Sequence, residues 1–306
     1  MHKTSLNTHL RLTGTPDNLR HLIVDIATSA KYVHHAIQTG DLGMAGTSNL
    51  YGENQLALDV LANEIIKKHL MESYLVGAFA SEEENDVVEI GHGEKKYCVA
   101  FDPLDGSSLA DVNQAVGSIF GIYEGSDFLG KKGKDQIASL FVVYGPRTSL
   151  VYTTRKGVHE FSLNAIGEFV LTKENLKVTP EHKIFAPGNL RATGENTKYL
   201  NLVNEWSKNG KTLRYSGGMV PDINSILMKG QGVFSYPAYS KYPEGKLRLL
   251  FECAPLALLI TEAGGEAINQ QGTDILEIEI RSVAQTTPIF LGSKQAIDTV
   301  REYLIT

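Results

Sequence analysis

The chain is short of cysteine, of positive charge and of long apolar runs. Its two cysteines, Cys98 and Cys253, each sit inside an apolar stretch. Two such residues make no disulfide framework, so they read as small buried hydrophobes in a protein of a reducing compartment. Basic residues number 29 against 35 acidic, a net charge of −6, which speaks against nonspecific nucleic-acid binding. No apolar run reaches the ~18 residues that a membrane span needs, so no membrane partner is expected. Residues 1–16 lack acids and carry Lys3 and Arg11, yet a signal h-region and an Arg/Ser-rich transit pattern are both missing. The closing YLIT is no address signal either, and a cytoplasmic location is expected. Internal repeats and low-complexity tracts are absent as well, which excludes solenoids and tails.

What is present is an ordinary globular composition, 42% hydrophobic and 21% charged over 306 residues, enough for about two domains. DNLRHLIVDIATSAKYVHHAI and ENQLALDVLANEIIKKHL carry apolar residues at helical spacing. YLVGAFA, YCVAFD, SIFGIYE, IASLFVVYG, TSLVYTT and GVHEFSL read as strands. Around KENLKVTPEHKIFAPGN the texture turns polar and proline-bearing, which places a boundary between a unit of residues 1–175 and a unit of residues 176–306. Beyond it come helices at TKYLNLVNEWSKN and MVPDINSILMKG, a strand pair at VFSYPA and KLRLLFE, and a helix PLALLITEAGG closed by paired glycines. Helices and strands alternate throughout, so a mixed α/β layered architecture is expected.

The chemistry gathers around FDPLDGSS. Pro103 fixes its own φ and disfavours helix at Asp102, so the strand is expected to break there. Asp102 and Asp105 would then project from one strand end, with the Leu104 carbonyl between them. Carboxylates plus a carbonyl make a hard-oxygen site suited to Mg²⁺ or Mn²⁺. Clustered anions repel one another, which calls for cations, and two metals can clamp a phosphoryl group. The backbone N–H groups of Gly106, Ser107 and Ser108 would cradle phosphate at a helix start. Read alone, this stretch is also compatible with an Asx-type turn. Glu82, Glu83 and Glu84 are likewise compatible with a solvated turn. In GKLRLLFECAP, period two places Lys246, Arg248, Leu250 and Glu252 on one strand face, either a solvated basic face or a phosphate-binding one.

SEE, FDPLDGSS, RYSGGMVPD and GKLRLLFECAP…EAGG resemble, in order and spacing, the class I fructose-1,6-bisphosphatase family. That family belongs to the Mg²⁺-dependent phosphatases that include inositol monophosphatase, and the resemblance runs from about residue 20 to the end. FAPGNLRA, TLRYSGGMVPD and GKDQIASLFVVYGPRTSLV are most similar to the sedoheptulose-1,7-bisphosphatase branch. VFSYPA and YPEGKLRLL, with Tyr236–Pro237, are more similar to fructose-1,6-bisphosphatase. The resemblance implies the sugar-phosphatase fold, an α-β-α-β-α sandwich. It also implies hydrolysis of the C1 phosphate of a ketose bisphosphate by metal-activated water, in gluconeogenesis or a Calvin-type cycle.

Position by position, the resemblance makes Asp59, Glu82 and Glu83 catalytic. Glu82, Glu83, Asp102, Leu104 (by its carbonyl), Asp105 and Glu252 would ligate two or more Mg²⁺ ions. Gly106, Ser107 and Ser108 would hold the C1 phosphate with Arg248 nearby, and Asn189, Tyr215, Tyr236 and Lys246 would bind the sugar chain and distal phosphate. Arg214 would reach that phosphate from a neighbouring subunit of a homodimer or homotetramer. The alternatives are an inositol- or nucleotide-type monophosphatase of the same fold, and an inactive ligand-sensing homologue. TGTPDNLR does not reproduce the family's AMP-binding segment, although Lys96–Tyr97 resembles part of that site. A cysteine-rich regulatory insertion is missing, so redox control is not expected.

Overall fold

The computed structural model describes residues 4–39, 44–48 and 54–305. Lys3 and Glu53, on which parts of the sequence reading fall, lie outside them.

Leu6–Leu12 (α1), Asp17–Thr39 (α2) and Ala57–Glu72 (α3) form the first layer. In α2, Leu19, Leu22, Ile23, Ile26, Ala30 and Val33 recur at helical spacing and are all buried, so one stripe faces the core. The helix anticipated from ENQ onward starts at Ala57, because Asn54–Leu56 (β2) pairs antiparallel with Met44–Ser48 (β1). Buried His9 ties α1 down. Its ring nitrogens meet the Tyr152 hydroxyl at 2.6 Å and the Glu174 carboxylate at 3.2 Å.

The second layer is an eight-stranded sheet. Its strands are Val76–Ser81 (β3), Val88–Glu89 (β4), Tyr97–Asp105 (β5), Val116–Glu124 (β6), Gln136–Tyr144 (β7), Thr148–Thr153 (β8), Val158–Leu163 (β9) and Phe169–Lys173 (β10). They lie in the order β10-β9-β8-β7-β6-β5-β3-β4, with β3 and β5 parallel and the other pairs antiparallel. Both β3 and β5 are buried along their whole length, which explains their near-continuous apolar sequence. A five-stranded sheet follows, ordered β12-β11-β13-β15-β14. It comprises Ile184–Pro187 (β11), Thr212–Leu213 (β12), Val233–Tyr236 (β13), Glu266–Ile268 (β14) and Ile289–Gly292 (β15).

Of the remaining helices, Thr197–Lys208 (α4) and Lys294–Leu304 (α7) cover the outer face of the second sheet, and Met219–Lys229 (α5) and Ala254–Glu262 (α6) lie between the two sheets. Three apolar cores result. One joins α1–α3 to the first sheet, one packs α5 and α6 between the sheets, and one joins α4 and α7 to the second sheet. The layers therefore run α-β-α-β-α, as expected. α6 is apolar on every side because it is sandwiched, and its end is closed by Gly264 and Gly265 donating to Thr261 and Ile260 carbonyls.

Two sequence expectations fail locally. β5 does not break at Asp102 but continues to Asp105. A bulge absorbs Pro103, with Asp102 opposite Ile119 and Asp105 opposite Gly117. Pro103 has no N–H to offer the ladder, and its carbonyl accepts from Ser118 Oγ at 2.7 Å instead. KLRLLFE is not a strand paired with VFSYPA. Arg248 makes one bridge to Thr286, and Leu249–Cys253 then winds as a π-turn into α6, with Cys253 N donating to Arg248 O at 3.0 Å. Every residue from Leu249 to Cys253 is buried, so no two-faced strand pattern applies there and the period-two face dissolves.

Gly117 is packed too closely for any side chain. A Cβ there would lie 2.7 Å from the Val142 carbonyl oxygen and inside contact with Val220 at the start of α5. Gly117→Ala is expected to cost about 1–3 kcal/mol by overpacking, measured by denaturant unfolding.

Candidate active site

β3 and β5 are parallel neighbours, so their carboxyl ends deliver side chains to one edge of the sheet, where α/β proteins commonly bind ligands. Glu82 and Glu83 follow β3, with Glu82 N donating to Phe101 O at 3.1 Å. Asp102 and Asp105 stand on the bulged end of β5. Asp102 Oδ1 accepts from Leu104 N at 2.9 Å, and Asp105 Oδ2 accepts from Val220 N at 2.7 Å. Asp59 is buried in the first turn of α3. Glu252 arrives on the π-turn, where its Oε2 accepts from Arg248 N at 2.5 Å.

These elements enclose a 410 Å³ cavity. Of the sequence-derived residues, Asp59, Glu82, Glu83, Asp102, Leu104, Asp105, Gly106, Ser107, Ser108, Tyr215, Tyr236, Lys246 and Glu252 line it. Gly106, with φ +74°, turns β5 into the short 3₁₀ helix Ser107–Val112. Three candidates stand off the lining. Buried Arg248 lies behind it, its Nε 3.9 Å from Glu82 Oε1 and its Nη1 donating to Lys246 O at 2.9 Å. Asn189 is buried with a left-handed φ of 52° and donates to Pro237 O at 2.9 Å, bracing the residue after Tyr236. Arg214 is exposed just after β12, the edge strand of the second sheet, and its N–H donates to Phe185 O at 2.9 Å.

Asp102, Asp105 and Glu252 are 3%, 8% and 6% exposed. One carboxylate oxygen from each lies within 4.8 Å of the others. Burial holds all three acids above the usual carboxylate range. Asp102 is pushed well up, first by burial and then by Glu82, Asp105, Glu252 and Glu83. Asp105 reaches about 6, burial outweighing the N–H groups of Val220 and Met219. Glu252 reaches about 7 through burial and the Asp105 charge, against the Arg248 backbone N–H and side chain. Such buried anions are stable when a cation or proton compensates them. The donors are all hard oxygens, so the residues fit a divalent ion such as Mg²⁺ or Mn²⁺ and do not fit a thiolate-preferring metal.

The sequence reading missed several residues that shape the cavity. Gly217, Gly218, Met219, Phe234 and Leu247 line it. Asp222, pushed up to about 7 by burial, accepts from Ser216 N at 2.9 Å and so holds the loop that carries Tyr215. The available signal was RYSGGMVPD, whose aspartate, in the first turn of α5, has no evident task until the loop before the helix brings Ser216 N to it.

Fold and site together are those of a metal-dependent phosphatase. The sequence profile described as the N-terminal domain of fructose-1-6-bisphosphatase matches residues 1–174, and that of its C-terminal domain matches residues 178–305. The chain is 50% identical to a class 1 fructose-1,6-bisphosphatase of Geobacter sulfurreducens, over 99% of this chain and 96% of that protein. It is 38% identical to the chloroplastic sedoheptulose-1,7-bisphosphatase of Spinacia oleracea, over 96% of this chain and 76% of that protein. The crystal structure of Leishmania major fructose-1,6-bisphosphatase in its holo form superposes with a TM-score of 0.93 at 33% identity, over 99% of both chains. The chain belongs to the fructose-1,6-bisphosphatase family.

Proposed function

We propose that this protein is a Mg²⁺-dependent hydrolase of the C1 phosphate of a ketose bisphosphate, fructose-1,6- or sedoheptulose-1,7-bisphosphate. The observation that carries this reading is the three buried carboxylates in a cavity that Tyr215, Tyr236 and Lys246 also line. A monoester needs only the acid end. The tyrosines and the lysine, which metal binding does not require, answer a second phosphate.

Asp102, the Leu104 carbonyl, Asp105 and Glu252, with Glu82 and Glu83, would hold two or more divalent ions. When bound, those ions supply Lewis-acid charge to the phosphoryl oxygens and acidify water. Gly106, Ser107 and Ser108 present backbone N–H groups to the phosphoryl oxygens, and Arg248 adds positive charge behind Glu82. Asp59 and Glu83 orient the attacking water and take its proton. No covalent phospho-enzyme is needed, because the reading makes water the nucleophile. Positioning and electrostatics then dominate the rate enhancement.

Lys246, Tyr215 and Tyr236 bind the distal phosphate and the sugar, with Asn189 acting through Pro237. Arg214, just after the edge strand β12 and between exposed Leu213 and Tyr215, would complete the site of a neighbouring copy in a homodimer or homotetramer. Residues 1–175 form the catalytic unit and residues 176–306 the sugar-phosphate unit, with Glu252 crossing over to the metals. Among the described residues no helix is long and apolar enough to cross a membrane. A cytoplasmic location accords with the cysteine usage.

The test is release of inorganic phosphate from the two ketose bisphosphates and from inositol monophosphate at fixed Mg²⁺. Both bisphosphates should turn over well ahead of the monoester. Tenfold selectivity between the two bisphosphates needs only ~1.4 kcal/mol, so either sugar can lead. Equal turnover of the monoester would remove the case for a second phosphate pocket. Lys246→Ala is expected to raise KM by about 10- to 100-fold, since a charge-assisted hydrogen bond contributes about 1.5–3 kcal/mol, with a smaller effect on kcat.

A further inference from the structure

Two parts of the site come from segments that are not neighbours in sequence. Asp59 rides on α3, whereas Glu82 and Glu83 ride on the turn after β3. Something must hold that turn at a fixed height against the helix, because the bond from Glu82 N to Phe101 O ties the turn to β5 and does not fix where Asp59, on a separate element, will stand. A buried polar chain spans the gap. Asn63 lies one helical turn beyond Asp59 on α3, hence on the same side of the helix.

Asn63 and Ser81 are 5% and 1% exposed, so their polar groups need partners within the protein. Ser81 Oγ donates to Asn63 Oδ1 at 2.7 Å, and the same oxygen accepts from Glu83 N at 3.2 Å. The other end of the amide, Asn63 Nδ2, donates to Glu84 Oε1 at 2.9 Å. Glu84 Oε1 also accepts from Lys67 Nζ at 2.6 Å, one further turn along α3. The turn itself closes with Glu84 N donating to Ser81 O at 3.2 Å. Asn63 therefore grips both ends of the four-residue turn Ser81–Glu84, and the residues between its two contacts are Glu82 and Glu83. Both ends of the grip use its side chain, with one acceptor and one donor pointing opposite ways. Neither leucine nor aspartate could serve both, since leucine has no polar group and a carboxylate would face Glu84 with like charge.

We infer that Asn63 is a positioning residue, which sets the Glu82–Glu83 turn in register with Asp59 and so preorganises the acid cluster for its divalent ions. The inference rests on the metal-dependent phosphatase reading, and it concerns geometry rather than the charge state of any acid. Groups that orient metal-binding side chains from behind commonly contribute 10- to 100-fold in metal affinity or activity.

The test is Asn63→Ala in the full chain, with direct titration of Mn²⁺ binding by electron paramagnetic resonance beside steady-state kinetics on fructose-1,6-bisphosphate. Mn²⁺ affinity and kcat should each fall about 10- to 100-fold, with KM for the sugar bisphosphate within about twofold. Glu84→Gln, which keeps an oxygen to accept from Asn63, should remain within about threefold of wild type. Glu84→Ala, a change at a half-buried site that spares the core, should move Mn²⁺ affinity and kcat in the direction of Asn63→Ala, and it carries the test if Asn63→Ala does not fold. A lowered melting temperature with Mn²⁺ affinity and kcat unchanged in both alanine variants would reduce Asn63 to a structural residue and overturn the inference. Failure of the phosphatase reading would show separately, as wild-type protein that binds Mn²⁺ but does not release phosphate.

Discussion

Glu252→Gln is expected to lose activity by about a thousandfold, the scale on which removing one preorganised electrostatic group acts, and at the same time to make the metal-free protein more stable. The two effects have one origin. Glu252 is a buried carboxylate beside Asp105 and Asp102, and without a cation its charge is held at a cost. Glutamine keeps an oxygen that can accept from Arg248 N, so the π-turn retains its hydrogen bond. Its amide adds a donor facing the two aspartates. A gain of ~1 kcal/mol would raise the melting temperature in EDTA by about 2–4 °C. Calorimetry in EDTA and phosphate release in Mg²⁺ read the two sides of the prediction. A variant that melts lower than wild type without metal would mean that the carboxylate is needed to hold the π-turn. Asp105 is the poorer choice for this experiment, because it also receives Val220 N from the start of α5, and alanine there would orphan a buried donor.

Metal removal gives the second large effect, and its pH dependence follows from the same acids. In the folded metal-free protein Asp105 titrates near 6 and Glu252 near 7, above their ordinary values of 3.8 and 4.5. Between about pH 4 and pH 7 the folded state therefore holds protons that the unfolded chain has released. The stability linked to these groups is fully present below about pH 4 and is lost as the pH rises through 6 and 7. A divalent ion replaces those protons, so its effect on stability should be larger at pH 8 than at pH 5.5. At a hundredfold excess over Kd, linkage gives about 2.7 kcal/mol of stabilisation per site. Thermal unfolding with and without Mg²⁺ at the two pH values tests this. Titration calorimetry in buffers of different ionisation enthalpy should register proton release on binding near pH 6.5. Equal thermal shifts at both pH values would show that the acids bind metal without displacing protons. EDTA should abolish turnover at either pH.

Much of this site was legible because its chemistry is local. Asp102, Leu104 and Asp105 lie within four residues, and the residue types alone specify a hard-oxygen cluster. The apolar runs of β3 and β5 were equally plain, because strands buried on both faces need no polar alternation. Glu252 was found as an acid but placed on the wrong element. Burial of every residue from Leu249 to Cys253 removes the contrast between faces on which a strand or helix reading depends. Pro103 misled in the opposite sense. Its missing N–H argued for the end of a strand, whereas the Ser118 hydroxyl and a bulge let β5 continue by three residues.

Residues that act by holding others were not legible at all. Asn63 and Asp222 are ordinary polar residues on helices until Ser81, Glu84 and Ser216 arrive beside them. By itself the sequence determined the layered α/β class, the acidic cluster and the family, since those depend on residue type and short spacing. Tertiary structure alone decided that α5 donates Val220 N to Asp105, 115 residues away, and that a π-turn swings Glu252 into the cluster. A hydrogen bond between distant segments leaves no periodic trace in either one, because its partner is chosen by how the layers stack.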